Sequence, residues 1–112
     1  MENRPWGFYN SLYNDNCHVK KITVYPNKRL SLQSHQFRNE HWIVVCGHGK
    51  AQVGEIMRDI YAGDYIYINK GERHRLINDS NDNLEIIEVQ TGTYFGEDDI
   101  FRYEDDFNRI IN

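Results

Sequence analysis

The alternation of apolar and polar residues along this chain predicts a series of short β-strands. Runs rich in β-branched and aromatic residues are separated by turn-forming groups such as Asn14-Asp15-Asn16 and Gly54-Glu55. This combination is typical of strands joined by tight turns. The predicted strands span residues 8–13, 17–25, 29–35, 42–46, 50–53, 56–61, 64–68, 74–78 and 84–90.

Several short strands at fairly even spacing, without a convincing amphipathic helix, predict an all-β antiparallel sandwich or barrel. The segment 96–107 differs, because six of its residues are acidic and apolar residues are spaced between them. We expect it to form a short helix or an irregular tail that packs on the sandwich. It lacks the ligand spacing of an EF-hand, so a solvated acidic face is the expected role of its carboxylates.

Length and charge restrict the class of protein. A chain of 112 residues is expected to form one domain, residues 1–112, with a modest core. The net charge of -4 argues against nucleic-acid binding driven by bulk electrostatics. Residues 1–7 are polar, and no run approaches the roughly 18 apolar residues of a membrane span. We therefore expect neither a nucleic-acid nor a membrane partner.

The two cysteines, Cys17 and Cys46, do not form the framework of a disulfide-rich protein. Cys46 ends an apolar run and is expected to be a core residue. Since the sequence shows no export signal, a reducing cytoplasm is the simplest expected location.

Three polar residues that can bind a metal ion, Gln33, His35 and Glu40, lie within eight residues. In an extended segment the two-residue period places Gln33 and His35 on one face. A turn over residues 36–39 would bring Glu40 back towards them. An imidazole, an amide oxygen and a carboxylate that meet at one point can hold a divalent ion. The alternative is a surface loop with one histidine and solvated polar neighbours.

A second stretch, residues 63–78, contains a strand-like run, a turn at Gly71 and a further strand that begins at His74. His74 would supply a fourth ligand. Together the two stretches resemble the two motifs of the cupin family. The matching residues are His35, Glu40 and Gly47 in the first motif, and Gly63, Gly71, His74 and Asn78 in the second. The departures are Asn27 for the leading Gly, Gln33 for the first His and Asn69 for Pro. The resemblance implies a double-stranded β-helix, or jelly roll.

A narrower resemblance covers almost the whole chain, from Arg4 to Arg109. Several segments are similar to type II mannose-6-phosphate isomerases, namely residues 4–7 (RPWG), 31–35 (SLQSH), 38–45 (RNEHWIVV), 74–76 (HRL), 87–92 (IEVQTG) and 96–100 (GEDDI). Residues 107–109 (FNR) stand where the family ends in Tyr-Gly-Arg. That family's domain is commonly the C-terminal part of a longer protein with a mannose-1-phosphate guanylyltransferase. This sequence has no Gly-rich nucleotide-binding loop, so we expect the isomerase function alone.

The resemblance implies that the chain interconverts mannose 6-phosphate and fructose 6-phosphate, in carbohydrate metabolism that leads to GDP-mannose and polysaccharides. Such a reaction moves a proton between C1 and C2 through an enediol, and a divalent ion can polarise both oxygens. Its ligands would be Gln33, His35, Glu40 and His74. Mixed nitrogen and oxygen ligation suits zinc first, and also manganese, iron, cobalt or nickel.

Three residues remain open as the base that carries the proton. His41 follows Glu40, and a regular strand would turn it to the opposite face. The alternative for His41 is therefore a core histidine or one that supports the metal ligands. Glu88 lies on the strand 84–90, where a buried carboxylate is costly unless paired or functional. Lys21 lies on the face of Val19 and Thr23, and burial can lower the pKa of a lysine.

A sugar phosphate also needs cations. Arg38 lies between two predicted ligands, so its guanidinium is expected near the metal, as a catalytic and substrate-binding group. The resemblance adds Arg75, Lys21 and Arg102 as further phosphate-binding candidates.

Two other functions and one assembly remain open. A metal-dependent cupin oxygenase could use a similar ligand set with redox-active iron or copper, and a sugar-binding cupin would bind without turnover. Because Trp6, Phe8 and Tyr9 are too apolar for a free edge strand, we also expect a homodimer with the N-terminal segment at its interface.

Overall fold

The computed structural model describes residues 1–110, in which all regular secondary structure consists of β-strands. The strands are β1 (Glu2–Arg4), β2 (Gly7–Asn14), β3 (His18–Val24), β4 (Lys28–Arg29), β5 (Leu32–Ser34), β6 (Arg38–Cys46), β7 (His48–Val53), β8 (Ile56–Tyr61), β9 (Tyr65–Ile68), β10 (His74–Asn78), β11 (Leu84–Gly92) and β12 (Phe101–Glu104). Each predicted strand between residues 8 and 90 has a counterpart. The predicted strand 29–35 is divided into β4 and β5.

The strands form two antiparallel sheets that face each other. One sheet has the order β1-β2-β3-β11-β6-β9, and the other has the order β12-β5-β10-β7-β8, with β4 paired to β10. The predicted all-β antiparallel architecture is therefore confirmed. In the described part of the chain no helical segment has the length and apolar character needed to cross a membrane.

The inner face of the first sheet changes from apolar to polar along its strands. On β11 the inward residues are Leu84, Ile86, Glu88 and Gln90, all at most 5% exposed. They lie opposite Val24, Ile22, Lys20 and His18 of β3, in that order. On β6 the same change runs from Val44 and Trp42 to Glu40 and Arg38. Because neighbouring strands change character at the same level, the interior has an apolar half and a polar half.

The apolar half forms the core. It contains Trp42, Val44, Ile60, Leu76, Leu84 and Ile86, each at most 2% exposed, together with further residues of both sheets. Burial of such side chains contributes roughly 1.5–3 kcal/mol each. This packed half supports the polar half, whose buried charged groups are costly on their own.

The C-terminal segment corrects one expectation. Residues 101–104 form the strand β12, which pairs with β5 through Phe101 opposite Ser34 and Arg102 opposite Gln33. Of the two predicted alternatives, the helix is wrong, and the irregular tail agrees with the rest of the segment. The physical reason is a long-range contact. Residues 101–104 form a strand because they pair with β5, and the local acidic pattern does not predict that pairing.

Cys46 is also placed differently from the prediction, because it is exposed. Strict alternation from Trp42 and Val44 would turn it inwards. The pairing of β11 with β6 has an irregularity between Glu85 and Ile86, where Glu85 lies opposite Cys46 and Ile86 opposite Val44. Such a bulge breaks the alternation at the end of the strand.

The N-terminal aromatic residues lie mainly inside the molecule. Trp6 and Tyr9 are 6% and 8% exposed and belong to the core. The edge of their sheet is covered by β1, which pairs with β2. The apolar character of this segment is therefore explained within one chain, and the homodimer stays a prediction.

Candidate functional site

A cavity lies in the polar half of the interior, between the two sheets. Its charged and polar lining residues are Arg4, Tyr9, Lys20, Ser31, Gln33, His35, Arg38, Glu40, His74, Glu88, Gln90, Glu97, Arg102 and Arg109. Apolar residues such as Trp42 and Leu76 form its floor against the core. A concave site with convergent polar groups on an apolar support is the usual form of a small-molecule site.

Three buried donor residues come together in this cavity. His35 follows β5, Glu40 lies on β6 and His74 begins β10, so both sheets contribute. The Nε2 atom of His35 lies 3.1 Å from Oε2 of Glu40, and Nε2 of His74 lies 3.6 Å from its Oε1. One donor atom from each residue lies within 4.8 Å of the others. Two imidazoles and a carboxylate at this separation fit a divalent metal ion.

Backbone carbonyl groups fix the orientation of both imidazoles. The Nδ1 atom of His35 donates to the carbonyl oxygen of Asp99 at 2.6 Å, and Nδ1 of His74 donates to that of Glu72 at 2.9 Å. A carbonyl oxygen can only accept, so each Nδ1 carries a proton. In the neutral ring the lone pair is then on Nε2, which points towards Glu40. Lone pairs that face a carboxylate require a cation or protons between them, which is the arrangement of metal-binding histidines.

Gln33 joins the same cavity from β5. It lies opposite His74 in the pairing of β5 with β10, and its Nε2 donates to the carbonyl oxygen of Ser31 at 3.4 Å. The amide oxygen is thus the atom of the Gln33 side chain that can coordinate a metal ion. All four predicted ligands line one cavity, three of them as a close group.

The electrostatics of the group favour a charged Glu40 carboxylate beside a neutral His74 imidazole. Burial alone raises the pKa of Glu40, but the neighbouring His74, His35 and Arg38 more than offset it and hold that pKa well below its usual range. Burial lowers the pKa of His74 despite the charge of Glu40. Metal ligands need this state, because an ionised carboxylate and an unprotonated imidazole can both donate electron pairs.

Arg38 contacts both the donor residues and the loop that contains Gly96. Its side chain is 4% exposed, and its Nε donates to Oε2 of Glu40 at 3.4 Å. One terminal nitrogen lies 3.4 Å from Nε2 of His35, and the other donates to the carbonyl oxygen of Gly96 at 3.2 Å. The prediction that Arg38 lies near the donor residues agrees with this position.

Glu88 lies within the cavity, as the prediction of a functional buried carboxylate requires. It is 5% exposed and accepts a hydrogen bond from Nε2 of Gln90 at 2.6 Å. On the neighbouring strands it lies opposite Lys20 and Trp42. Burial, and secondly the charge of Glu40, raises the pKa of Glu88 to about 7. A carboxylate in this range can take up and return a proton near neutral pH.

Two of the predicted base candidates lie outside the cavity. Lys21 is on the outer face of β3, where its Nζ lies 3.7 Å from Oε1 of Glu85. His41 is on the outer face of β6, hydrogen-bonded to the hydroxyl of Tyr65 at 2.6 Å and packed against the ring of Tyr67. The physical reason is strand phase, since the inward residues of β3 and β6 are the even-numbered ones.

Of the two further arginines predicted to bind phosphate, Arg102 lines the cavity and Arg75 does not. Arg75 is 2% exposed but does not line the cavity; its Nε donates to the carbonyl oxygen of Leu30, and it forms a salt bridge to Glu104 at 3.1 Å. It therefore ties β10 to β12 rather than facing a ligand in the cavity. Arg102 lines the cavity, and one terminal nitrogen donates to the carbonyl oxygen of Arg109.

Sequence reasoning missed Lys20, Glu97 and Tyr9. Lys20 is buried beside the aromatic ring of Tyr9, with its Nζ 4.2 Å from the ring centroid. Its Nζ and the hydroxyl of Tyr9 both donate to Oε1 of Glu97, each at 2.8 Å. A signal for Lys20 exists, because it alternates in phase with the apolar residues Ile22 and Val24 of the same strand. Glu97 carries no such signal, since it lies in a segment without regular structure.

Comparison with protein families gives one match that covers most of the chain. The model described as mannose-6-phosphate isomerase C-terminal matches residues 2–105. The xanthan biosynthesis protein XanB of Xanthomonas campestris pv. campestris is 48% identical over 107 residues, which are 95% of this chain and 23% of that protein. A mannose-1-phosphate guanylyltransferase of Escherichia coli is 41% identical over 108 residues, 96% of this chain and 23% of that protein. The chain thus spans less than a quarter of the length of these relatives.

Solved structures agree on the fold. A cupin 2 conserved barrel domain protein from Salinispora arenicola superimposes with a TM-score of 0.70 and 21% sequence identity, covering 83% of this chain and 90% of that chain. At this identity the likeness concerns the architecture, which is the cupin double-stranded β-helix.

Proposed function

We propose, since this chain belongs to the mannose-6-phosphate isomerase C-terminal family, that it is a metal-dependent isomerase that interconverts mannose 6-phosphate and fructose 6-phosphate. The relatives whose names describe nucleotidyl transfer or polysaccharide biosynthesis are more than four times as long as the matched segment. The proposal therefore concerns the isomerisation alone, with a small sugar phosphate as the partner.

The observation that carries the proposal is the group of His35, Glu40 and His74, with both Nε2 atoms directed at one carboxylate inside a polar cavity. We propose that these residues, with the amide oxygen of Gln33, hold one divalent ion. The donor set suits zinc, and also manganese, iron, cobalt or nickel. When bound, the ion supplies Lewis-acid polarisation of the substrate's carbonyl and hydroxyl oxygens.

The proton transfer falls to Glu88 in this proposal. Aldose–ketose isomerisation removes a proton from C2 and returns one to C1, through an enediol form of the sugar. Of the cavity-lining carboxylates outside the donor group, Glu97 pairs with Lys20 from a loop, whereas Glu88 is fixed on β11, and burial raises its pKa to about 7. The hydrogen bond from Gln90 holds its oxygen in place. A positioned carboxylate of this kind typically contributes about 10²–10⁴-fold to the rate.

Arg38 is proposed to stabilise and orient the substrate. It is buried, always charged, and in contact with both His35 and Glu40. Its remaining N–H groups can bind an oxygen of the sugar in the polar half of the cavity.

An assay with purified protein tests the proposal. Mannose 6-phosphate is supplied, fructose 6-phosphate formation is coupled to a detectable product, and single divalent metals are added back to metal-free protein. Turnover with at least one metal, and a loss of about 10²-fold or more in Glu88→Gln with metal content unchanged, supports the isomerase. Oxygen consumption without fructose 6-phosphate would indicate an oxygenase, and binding without product would indicate a sugar-binding cupin.

A further inference from the structure

The carboxylate of Glu97 lies where several hydrogen-bond donors meet at the rim of the cavity. Lys20 Nζ and the hydroxyl of Tyr9 both donate to its Oε1 at 2.8 Å. The neighbouring carbonyl oxygen of Gly96 accepts a hydrogen bond from Arg38 at 3.2 Å. An ammonium and a phenol hydroxyl that converge on one oxygen, with a guanidinium held at the adjacent residue, form a site for an anion. Here the anion is a side chain of the protein itself.

The two partners of this ion pair differ greatly in exposure. The side chain of Lys20 is 5% exposed and is fixed in the middle of β3, whereas that of Glu97 is 53% exposed. Glu97 lies between β11 and β12, in a segment without regular structure. Lys20 therefore has to stay in the cavity, while Glu97 can leave by a change of its side-chain torsions alone.

The backbone next to Glu97 is held independently of its side chain. The carboxylate of Asp99 accepts hydrogen bonds from the backbone nitrogens of Gln36 at 2.9 Å and Phe37 at 3.0 Å. The backbone nitrogen of Asp99 donates to the carbonyl oxygen of Gly96 at 3.1 Å. Movement of the Glu97 side chain does not require this loop to open.

The charge around the site suits a ligand with more negative charge than one carboxylate. Arg4 and Arg102 line the same cavity, and Arg4 donates to the hydroxyl of Tyr9 at 3.4 Å. Arg109 also lines it, but its charge is paired with Asp105 at 2.8 Å. A phosphate monoester carries up to two charges and three acceptor oxygens, which lysine and arginine bind well. Arg38 contacts both this site and the donor residue Glu40, so one ligand can reach both.

We propose that Lys20, Tyr9 and Arg38 bind the phosphate group of the sugar phosphate, and that Glu97 occupies this site in the free protein until the phosphate displaces it. This inference rests on the proposed function for the identity of the ligand. It assigns the role of phosphate-binding lysine to Lys20, which faces the cavity, and not to Lys21, which faces outwards.

Binding measured by calorimetry tests the inference without turnover. The probe is glucitol 6-phosphate, which has no carbonyl group and cannot isomerise, with glucitol as the phosphate-free comparison. Lys20→Met should weaken binding of the probe at least about tenfold, because a buried ionic partner is lost. Glu97→Gln should tighten it about tenfold, because a competing charge is removed. Lys21→Met is the matched control and should bind like the wild type.

The sign of the Glu97→Gln effect decides the outcome. Weaker or unchanged binding in that variant would overturn the inference, because Glu97 would then only position Lys20 or do nothing. The exposed position of Glu97 makes this variant informative even if Lys20→Met does not fold. Turnover of mannose 6-phosphate with unchanged probe binding in both variants would overturn the phosphate site alone. The expected binding pattern without turnover would support the site and contradict the isomerase.

Discussion

His35 is held by Asp99, 64 residues further along the chain, through a 2.6 Å hydrogen bond from its Nδ1 to the backbone carbonyl oxygen. The carboxylate of the same aspartate accepts hydrogen bonds from the backbone nitrogens of Gln36 and Phe37. The C-terminal segment therefore orients a candidate metal ligand, although it contributes no donor atom to the group of three.

Asp99→Ala is predicted to weaken metal binding by about 10–100-fold, because the loop carbonyl that orients His35 loses its anchor. The free energy of unfolding should also fall by about 1–3 kcal/mol, since two backbone N–H groups lose a charged acceptor. Metal titration and denaturant unfolding measure the two effects. Asp98→Ala changes the exposed neighbouring residue and should leave metal affinity near that of the wild type; equal affinity in the Asp99 variant would contradict the role of this anchor.

His74→Ala is predicted to abolish stable metal binding, because one of three convergent donors is removed. Elemental analysis after gel filtration measures the bound metal. His48→Ala is the matched control, because His48 is exposed and lies against Tyr61 on the outside of the molecule. Full metal occupancy in His74→Ala would exclude the proposed site.

Much of the candidate site could be predicted from the sequence because its residues are set by short-range spacing. Gln33 and His35 are two residues apart in an extended segment, and Glu40 and His74 lie at fixed distances from turns. The pairing of β5 with β10 in one sheet, and the position of β6 in the facing sheet, then bring the four residues together. The pattern of apolar positions likewise gave the order of the strands along the chain. The spacing of the ligands and the pattern of apolar positions are both local, so both can be read without knowledge of the tertiary structure.

The remaining features depend on register and long-range pairing. The choice between Lys20 and Lys21 is a choice of strand phase, and a shift of one residue exchanges the inner and outer faces. Cys46 became exposed through a bulge opposite Glu85. The contact of Glu97 with Lys20 joins residues 77 positions apart, from a loop with no periodic signal. None of these can be read from local composition.

The metal-free protein is predicted to show a pH-dependent stability that depends on Glu88. Its pKa is raised from 4.5 to about 7 in the folded state, so the folded protein binds this proton more tightly than the unfolded chain. The resulting stabilisation, about 3 kcal/mol, is complete below pH 4.5 and is lost as the pH rises through 7. Urea unfolding of wild type and Glu88→Gln over this range measures the difference. A difference between the two proteins that does not change with pH would contradict the raised pKa.

Arg38→Ala is predicted to lower kcat/KM by about two to three orders of magnitude, because a buried charged partner of the substrate is lost. Its metal content should remain, since Arg38 contacts the donor residues without being one of them. Steady-state kinetics and elemental analysis of the same sample give both values. Arg58→Ala, at an exposed arginine of β8, is the control. Near-normal kcat/KM in the Arg38 variant would leave it a structural role only.

The most direct test of the central claim follows the reaction in D2O by NMR, starting from mannose 6-phosphate. An enediol pathway with a carboxylate base predicts deuterium at the carbon that receives the proton, wherever the base exchanges with solvent before returning it. We predict fructose 6-phosphate with solvent deuterium, loss of the reaction after chelation, and recovery with a single divalent metal. Product formation that continues after elemental analysis shows the metal to be gone, or no product with any divalent metal, would contradict a metal-dependent isomerase.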